Sequence, residues 1–246
     1  MTYKDKYRQW LNFDHETKAE LEVITDEAEI SDRFYKDLEF GTAGLRGIMG
    51  AGSNRMNKYT VGRATYGFAQ YVKSKGSDNL KIAIAYDTRN NSQYFAKITA
   101  GIFASLGFTA YLYEFVAPVP VLSFTVRHLG CIAGVMITAS HNPKEYNGYK
   151  VYDETGCQLN TEEANAALEY INKITDFSTI PFCEESENIK IIGDDVLSEF
   201  LKAVKKQSLY EGKSDVKIVY TPLHGSGNIP VRRMLDGLDV TVVKEQ

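Results

Sequence analysis

The sequence predicts an α/β fold: a mostly parallel sheet sandwiched by helices, followed by the opening of a second α/β unit. Three observations carry this. Between Asn57 and Ile137, short apolar runs alternate with stretches of helical periodicity, a β-α-β-α-β rhythm that favours parallel strands with helices on both faces. The last of those runs, Cys131-Ile-Ala-Gly-Val-Met-Ile137, is apolar without interruption, as a central strand requires. A helix from Asp194 leads into a further β-α-β unit that opens at Val216, and the sequence ends at Gln246, so about fifty residues form the start of an incomplete second domain.

The elements follow in order. The first 40 residues read as polar helices with a sparse apolar face of Trp10, Leu11, Leu21 and Ile24. From Asn57 to Lys75, Val61, Ala64, Phe68 and Tyr71/Val72 recur at helical spacing, and Gly76-Ser-Asp-Asn79 ends that helix. Leu80–Tyr86 is a strand and Asp87-Thr-Arg-Asn-Asn-Ser92 a polar turn. The next helix carries Phe95, Ile98, Ile102 and Leu106 on one face, with Gly107 suited to its C-terminal cap. Phe108–Tyr113 is a strand, Ala117-Pro-Val-Pro120 turns into a helix ending near Gly130, and the apolar strand follows. Helices are expected at 161–173 and 194–207, with a looser acidic stretch around 184–188 between them. Then come a strand at 216–220, a glycine-rich loop Thr221-Pro-Leu-His-Gly-Ser-Gly227, a helix through Leu235 and a strand at 240–243. The resulting division is a helical extension over 1–39, a first domain over 40–190 and the start of a second over 191–246.

With 246 residues, 43% hydrophobic and 24% charged, the chain can bury a core and is neither a disordered tail nor a disulfide-stapled miniprotein. Twenty-eight basic against 32 acidic residues give a net charge of −4, which argues against nucleic acid as a partner but leaves room for a local basic pocket. Cys131, Cys157 and Cys183 are far apart with no C-x-x-C, so they form neither a disulfide framework nor a zinc cage and read as reduced, buried thiols of a cytoplasmic protein. The N-terminus is too charged for a signal peptide, and no apolar run approaches the ~20 residues of a membrane span. No membrane association is expected. Oligomeric state is not legible.

In open parallel sheets, ligands bind beyond the carboxyl ends of the strands, which directs attention to the loops at 87–92 and 138–148. The sharper is Gly134-Val-Met-Ile-Thr-Ala-Ser140-His-Asn-Pro143-Lys-Glu-Tyr-Asn-Gly148-Tyr-Lys150, in which a strand delivers Ser140 into a loop that Asn142-Pro143 forces out of strand geometry. A serine so placed is a nucleophile or a carrier of a transferred group; the plainer alternative is an ordinary turn. His141 is expected to diverge from Ser140, as neighbouring side chains do in extended backbone, which leaves Lys150 as the better proton partner once the chain folds back through Gly148. The G-x-S-x-G elbow of serine hydrolases is absent. The second feature, Phe40-Gly-Thr-Ala-Gly44-Leu-Arg46-Gly47 running on to Gly50-Ala-Gly52-Ser-Asn-Arg55, pairs glycines with Arg46 and Arg55 as forked phosphate donors, or is a flexible linker. It matches neither the Walker loop nor G-x-G-x-x-G. Asp87-Thr88-Arg89 reads first as a helix cap, and His224 as structural. No metal-ligand spacing is visible.

Together these segments resemble the α-D-phosphohexomutase family, which includes phosphoglucomutase and phosphomannomutase. Thr138-Ala-Ser140-His-Asn-Pro143 followed by Asn147-Gly-Tyr-Lys150 is similar to its phosphoserine loop, and Phe40-Gly-Thr-Ala-Gly-Leu-Arg-Gly47 to its N-terminal signature. Tyr86-Asp-Thr-Arg89 and Thr221-Pro-Leu-His-Gly225 fall in the family's order, so the resemblance spans residues 40–246. The Gly50–Asn57 extension resembles the branch that holds phosphopentomutases and sugar-bisphosphate synthases. The resemblance implies that Ser140 carries the phosphoryl group, Lys150 is general acid/base, and Arg46 and His141 support them. Arg46, Arg55, Arg89, Asn142 and Lys150 are the expected phosphate and substrate contacts. It implies a hexose phosphate substrate interconverted between its 1- and 6-phosphates through a bisphosphate, with a sugar bisphosphate as activator. It also implies one Mg2+ bound by the phosphate on Ser140 and by three aspartates of an Asp-Gly-Asp-x-Asp-Arg loop. That loop is absent here, Asp236-Gly-Leu-Asp239 being a chance near-match, and so are the Gly-Glu-Glu-Ser-Gly-Gly sugar loop and the distal phosphate loop. The expectation is an N-terminal part of a longer enzyme, inactive as a mutase by itself. A serine hydrolase and a non-catalytic sugar-phosphate-binding domain are the alternatives of another class.

Overall fold

The computed structural model describes residues 1–41, 44–209, 215–236 and 241–244. Thr42 and Ala43 of the glycine-rich signature, residues 237–239 of the carboxylate near-match and Val240 of the last predicted strand lie outside them. Three short helices open the chain, α1 (Tyr3–Trp10), α2 (His15–Glu22) and α3 (Glu27–Phe34), and the side chains of Thr2, Asp14 and Asp26 accept backbone N–H groups at their starts. Trp10 and Leu21 bury as expected, while Leu11 and Ile24 only flank a cluster completed by Phe34 and Ala51. The Trp10 ring meets Phe13, Phe34, Tyr59 and Phe177, which docks the extension on the main body.

Next come β1 (Phe40–Gly41), β2 (Gly44–Ile48), α4 (Lys58–Ser74), β3 (Lys81–Tyr86), α5 (Ser92–Ser105), β4 (Thr109–Tyr113), α6 (Val119–His128), β5 (Ala133–Ile137), β6 (Tyr146–Asp153), α7 (Thr161–Asn172), β7 (Ile189–Ile192) and α8 (Asp194–Lys205). The strands form one sheet in the order β1-β2-β6-β5-β3-β4-β7. The pairs β5–β3, β3–β4 and β4–β7 are parallel, built by helical crossovers as the rhythm predicts. Three strands differ from the sequence reading. β6 pairs antiparallel with β5, so the loop after β5 is shorter than expected and ends before Tyr146; β2 pairs antiparallel with β6; β7 takes the far edge. The segment around Arg46 is therefore a sheet strand, not a linker.

Side chains alternate across the sheet. Ile82, Ile84, Val135, Ile137, Tyr149 and Val151 pack toward α4, α5 and α7, whereas Ala83, Ala85, Met136 and Tyr152 pack toward α6 and α8. A second, two-stranded parallel sheet joins β8 (Lys217–Tyr220) to β9 (Thr241–Lys244) through α9 (Asn228–Asp236). Ile229 of α9 packs on the α6/α8 cluster, and Arg233 pairs with Asp194 of α8. Cys131 alone is a fully buried thiol, its pKa pushed up to about 12 by burial; Cys157 is exposed and Cys183 partly so, which corrects the expectation of three buried thiols. Among the described residues no helix is long and apolar enough to cross a membrane.

Candidate functional site

The parallel strands β3 and β5 end side by side, where the Asp87 N–H donates to the Ile137 carbonyl at 3.1 Å. From there the two loops lock together. Asp87 Oδ2 accepts the Thr138 hydroxyl at 2.6 Å, and its Oδ1 accepts the Ser92 hydroxyl at 2.8 Å and the Arg89 N–H at 3.0 Å. The expected capping carboxylate thus binds the neighbouring loop as well as the helix start. The Thr138 oxygen in turn accepts the Ser140 N–H at 3.0 Å.

Ser140 is exposed and has a φ of 58°, the left-handed region that non-glycine residues enter at a cost of about 1–2 kcal/mol. This overturns the expectation that His141 diverges from it. That argument assumed extended backbone; the left-handed turn instead brings His141 Nδ1 to 3.2 Å from Ser140 Oγ.

Arg89 lies beneath the loop. Its Nη2 donates to the carbonyls of Ser140 (2.7 Å) and Asn142 (2.6 Å), and its Nη1 to those of Pro143 (2.9 Å) and Tyr146 (3.1 Å). All four terminal N–H donors are used, so Arg89 is not free to bind a phosphate and the expectation that it does so is corrected. Arg55 is corrected too. Its side chain is 8% exposed, and it pairs with Asp32 Oδ2 at 2.6 Å against the N-terminal extension. The whole Gly50–Asn57 run serves as a ledge for that extension. Ala51 N–H donates to Glu20, Ser53 Oγ to the Lys36 carbonyl and Asn54 N–H to the Arg33 carbonyl.

Three expected residues do converge. Arg46 of β2 lies opposite Gly148 and donates to Asn142 Oδ1 at 3.0 Å. Lys150 of β6 lies opposite Met136, so cross-strand alternation puts Arg46, Lys150, Met136 and Thr138 on one sheet face. Partial burial, and then the Arg46 charge, hold the Lys150 pKa below its ordinary value of 10.5. Between the folded and unfolded pKa values the unfolded chain binds more protons, so this lysine's contribution to stability rises with pH toward 10.5. Lys150→Met should therefore melt higher than the parent at pH 7, and the difference should shrink as pH approaches 10.5. Thermal unfolding across that range checks it, and a pH-independent difference would refute it.

Of that face, Met136 and Thr138 border an open cleft of about 1100 Å³, lined further by Thr88, Ser140, His141, Asn142 and Lys144 on one side and by residues 222–226 on the other. The Thr88 hydroxyl donates to the His224 carbonyl, which ties the two walls. Lys144 and Thr138 were passed over in the sequence although both lie within the serine motif, because residue type alone does not say which loop side chains face a ligand. Asn147 was missed as well. It is fully buried and pins the far end of the loop by donating to the Asn90 carbonyl and Ser92 Oγ.

The described residues do not fit a magnesium site by themselves. No three acidic, histidine or cysteine side chains among them converge, and Asp87, the carboxylate next to the serine loop, is committed to Thr138, Ser92 and Arg89.

A family model described as "Phosphoglucomutase/phosphomannomutase, alpha/beta/alpha domain I" matches residues 37–177. A phosphoglucomutase of Staphylococcus aureus (strain bovine RF122 / ET3-1) is 40% identical over 214 residues, which are 86% of this chain and 39% of that protein. The phosphoglucomutase of strain USA300 is 39% identical over 209 residues, 84% of this chain and 38% of that protein. Among solved structures, a Thermus thermophilus protein provisionally termed a phosphomannomutase superposes with a TM-score of 0.67 at 28% identity, over 85% of this chain and 46% of that one. A phosphoglucomutase/phosphomannomutase family protein of Burkholderia thailandensis shares the fold at a TM-score of 0.64 and 17% identity, over 84% of this chain and 43% of that one. The chain spans less than half the length of each.

Proposed function

This chain belongs to the phosphoglucomutase/phosphomannomutase family, and on that footing we propose that Ser140 is the phosphoryl carrier of a hexose phosphate mutase. The observation that carries the reading is an exposed serine, fixed in a left-handed turn at the mouth of a cleft, with Arg46 and Lys150 on the adjoining sheet face. In the proposed cycle the phosphate on Ser140 passes to a free hydroxyl of the sugar phosphate. The hydroxyl proton goes to the neutral Lys150 amine, whose lowered pKa favours that form. The bisphosphate then returns its other phosphate to Ser140 Oγ and recovers the proton at the oxygen it leaves. Arg46 supplies positive charge, and the exposed His141 a hydrogen bond, beside the transferring group. A sugar bisphosphate primes an empty Ser140, which is the activator role expected of it. The 1- and 6-positions of glucose or mannose phosphate are the proposed sites; a phosphopentomutase or sugar-bisphosphate synthase would use the same carrier. A magnesium ion at the phosphoserine would take its carboxylates from outside this chain.

The hydrolase reading loses ground to the geometry. Among the described residues no carboxylate bonds the His141 ring, so the orienting third member of a serine triad is missing.

Intact-mass measurement and peptide mapping test the carrier role, with a species about 80 Da heavier and modified at Ser140 as the expected result. Labelling of Ser140 by a fluorophosphonate would favour the hydrolase instead. The 246-residue chain alone, given glucose 1-phosphate, Mg2+ and glucose 1,6-bisphosphate, is expected to form no detectable glucose 6-phosphate, because phosphoryl transfer depends on charge neutralisation that its own carboxylates do not supply. Steady turnover would refute this.

A further inference from the structure

We infer that Asp87, Thr138 and Arg89 form one positioning network whose task is to hold Ser140 in its left-handed conformation, with the hydroxyl projecting into the cleft beside His141. The inference rests on the carrier reading for its purpose, though not for its geometry. Both backbone groups of Ser140 are tied. Its N–H donates to Thr138 Oγ1 at 3.0 Å, and its carbonyl accepts from Arg89 Nη2 at 2.7 Å. Anchoring the amide on one side and the carbonyl on the other restrains φ and ψ together, so the side chain is left to project into the cleft.

The anchors are themselves anchored. The Thr138 hydroxyl has one proton and donates it to Asp87 Oδ2, which turns its lone pairs toward the Ser140 N–H. Asp87 is set by Ser92 Oγ and by the Arg89 backbone N–H, and its carboxylate lies 3.5 Å from Arg89 Nε. Arg89 then gathers four carbonyls spread over seven residues, from Ser140 in the loop to Tyr146 at the start of β6. A planar fork with five donors can do this; a lysine ammonium, with three donors and no plane, cannot. The network accounts for the Asp87-Thr88-Arg89 turn better than helix capping does. The N-cap of α5 is Asn91, which makes no side-chain capping bond. These are positioning residues: they act on Ser140 and leave the sugar phosphate to others.

Amide hydrogen exchange resolved by residue on the 246-residue chain tests this. Thr138→Val keeps the shape and removes the hydroxyl. It should speed exchange of the Ser140 amide by about three- to tenfold, the worth of one hydrogen bond, and move the Ser140 Cα and Cβ shifts off their left-handed values. Thr138→Ser should restore both. Arg89→Lys keeps the charge and loses the fork; it should speed exchange across residues 140–147 while amides of β3 and β4 stay protected. Parent-like Ser140 exchange and shifts in Thr138→Val would overturn the inference, as would failure of Thr138→Ser to rescue. If Arg89→Lys also loses protection in β3 and β4, the Thr138 pair decides. A chain whose Ser140 never carries phosphate would sink the carrier reading and leave these exchange results standing, so the two failures are distinguishable.

Discussion

Ser140→Ala is expected to abolish the phosphorylated species and to lower mutase turnover of the active assembly by about 10⁴-fold or more, the scale on which removing a covalent nucleophile acts. The fold should survive, because the hydroxyl is exposed and its partner is His141 rather than the core. A paired variant separates chemistry from conformation. Alanine keeps the left-handed cost at φ 58° that serine bears, whereas glycine removes it. Relief of about 1–2 kcal/mol, less the roughly 0.5–1 kcal/mol of extra unfolded-state entropy that glycine brings, leaves Ser140→Gly more stable than Ser140→Ala by about 0.5–1 kcal/mol. Both should be inert and the glycine variant should have the higher denaturation midpoint. Residual phosphate on either would place the carrier elsewhere, and equal midpoints would mean that the turn is not left-handed in solution.

Gly44→Ala should cause the largest loss of stability. Gly44 has a φ of 82°, and a β-carbon there would lie 2.0 Å from the Tyr149 carbonyl oxygen and 3.0 Å from Lys150 Cα. The obstacle is backbone of β6 that no rotamer change can clear, so β2 must move away from β6. About 3 kcal/mol is the expected size, with a melting temperature lower by roughly 6–12 °C. Gly76→Ala is the control, since Gly76 has a φ of 73° but nothing within 4 Å of the added carbon. It should lose only the left-handed cost of about 1 kcal/mol. A Gly44→Ala loss no larger than the Gly76→Ala loss would show that β2 is not seated against β6 as described. Arg46 is two residues from Gly44, so the same variant should also break its contact with Asn142.

Local pattern was enough for the parallel half of the sheet. Continuous apolar runs such as Ile82–Tyr86 and Cys131–Ile137, alternating with helical periodicity, fit strands buried between two layers of helix. The antiparallel half left no such trace. β6 contains Asn147 and Gly148, poor strand formers, and becomes a strand because the buried Asn147 finds partners in the Asn90 carbonyl and Ser92 Oγ and because Gly148 lets the Thr138 and Leu45 carbonyls approach on both sides. β2 is held by pairing with β6 and not by its own glycine-rich composition.

The same division runs through the site. Sequence by itself determined that Ser140 leaves a strand into a loop that Asn142-Pro143 bends, and that Arg46 and Lys150 belong to glycine-bearing segments, because residue type and strand periodicity are local properties. Only the tertiary structure decided what each charged side chain does. An arginine in a loop reads the same whether it meets a phosphate, four carbonyls or a buried carboxylate. Arg46 beside the serine loop, Arg89 beneath it and Arg55 against Asp32 are three outcomes set by partners 96, 51 to 57 and 23 residues away. Such long-range pairings follow from how the strands are ordered in space, which no window of neighbouring residues encodes.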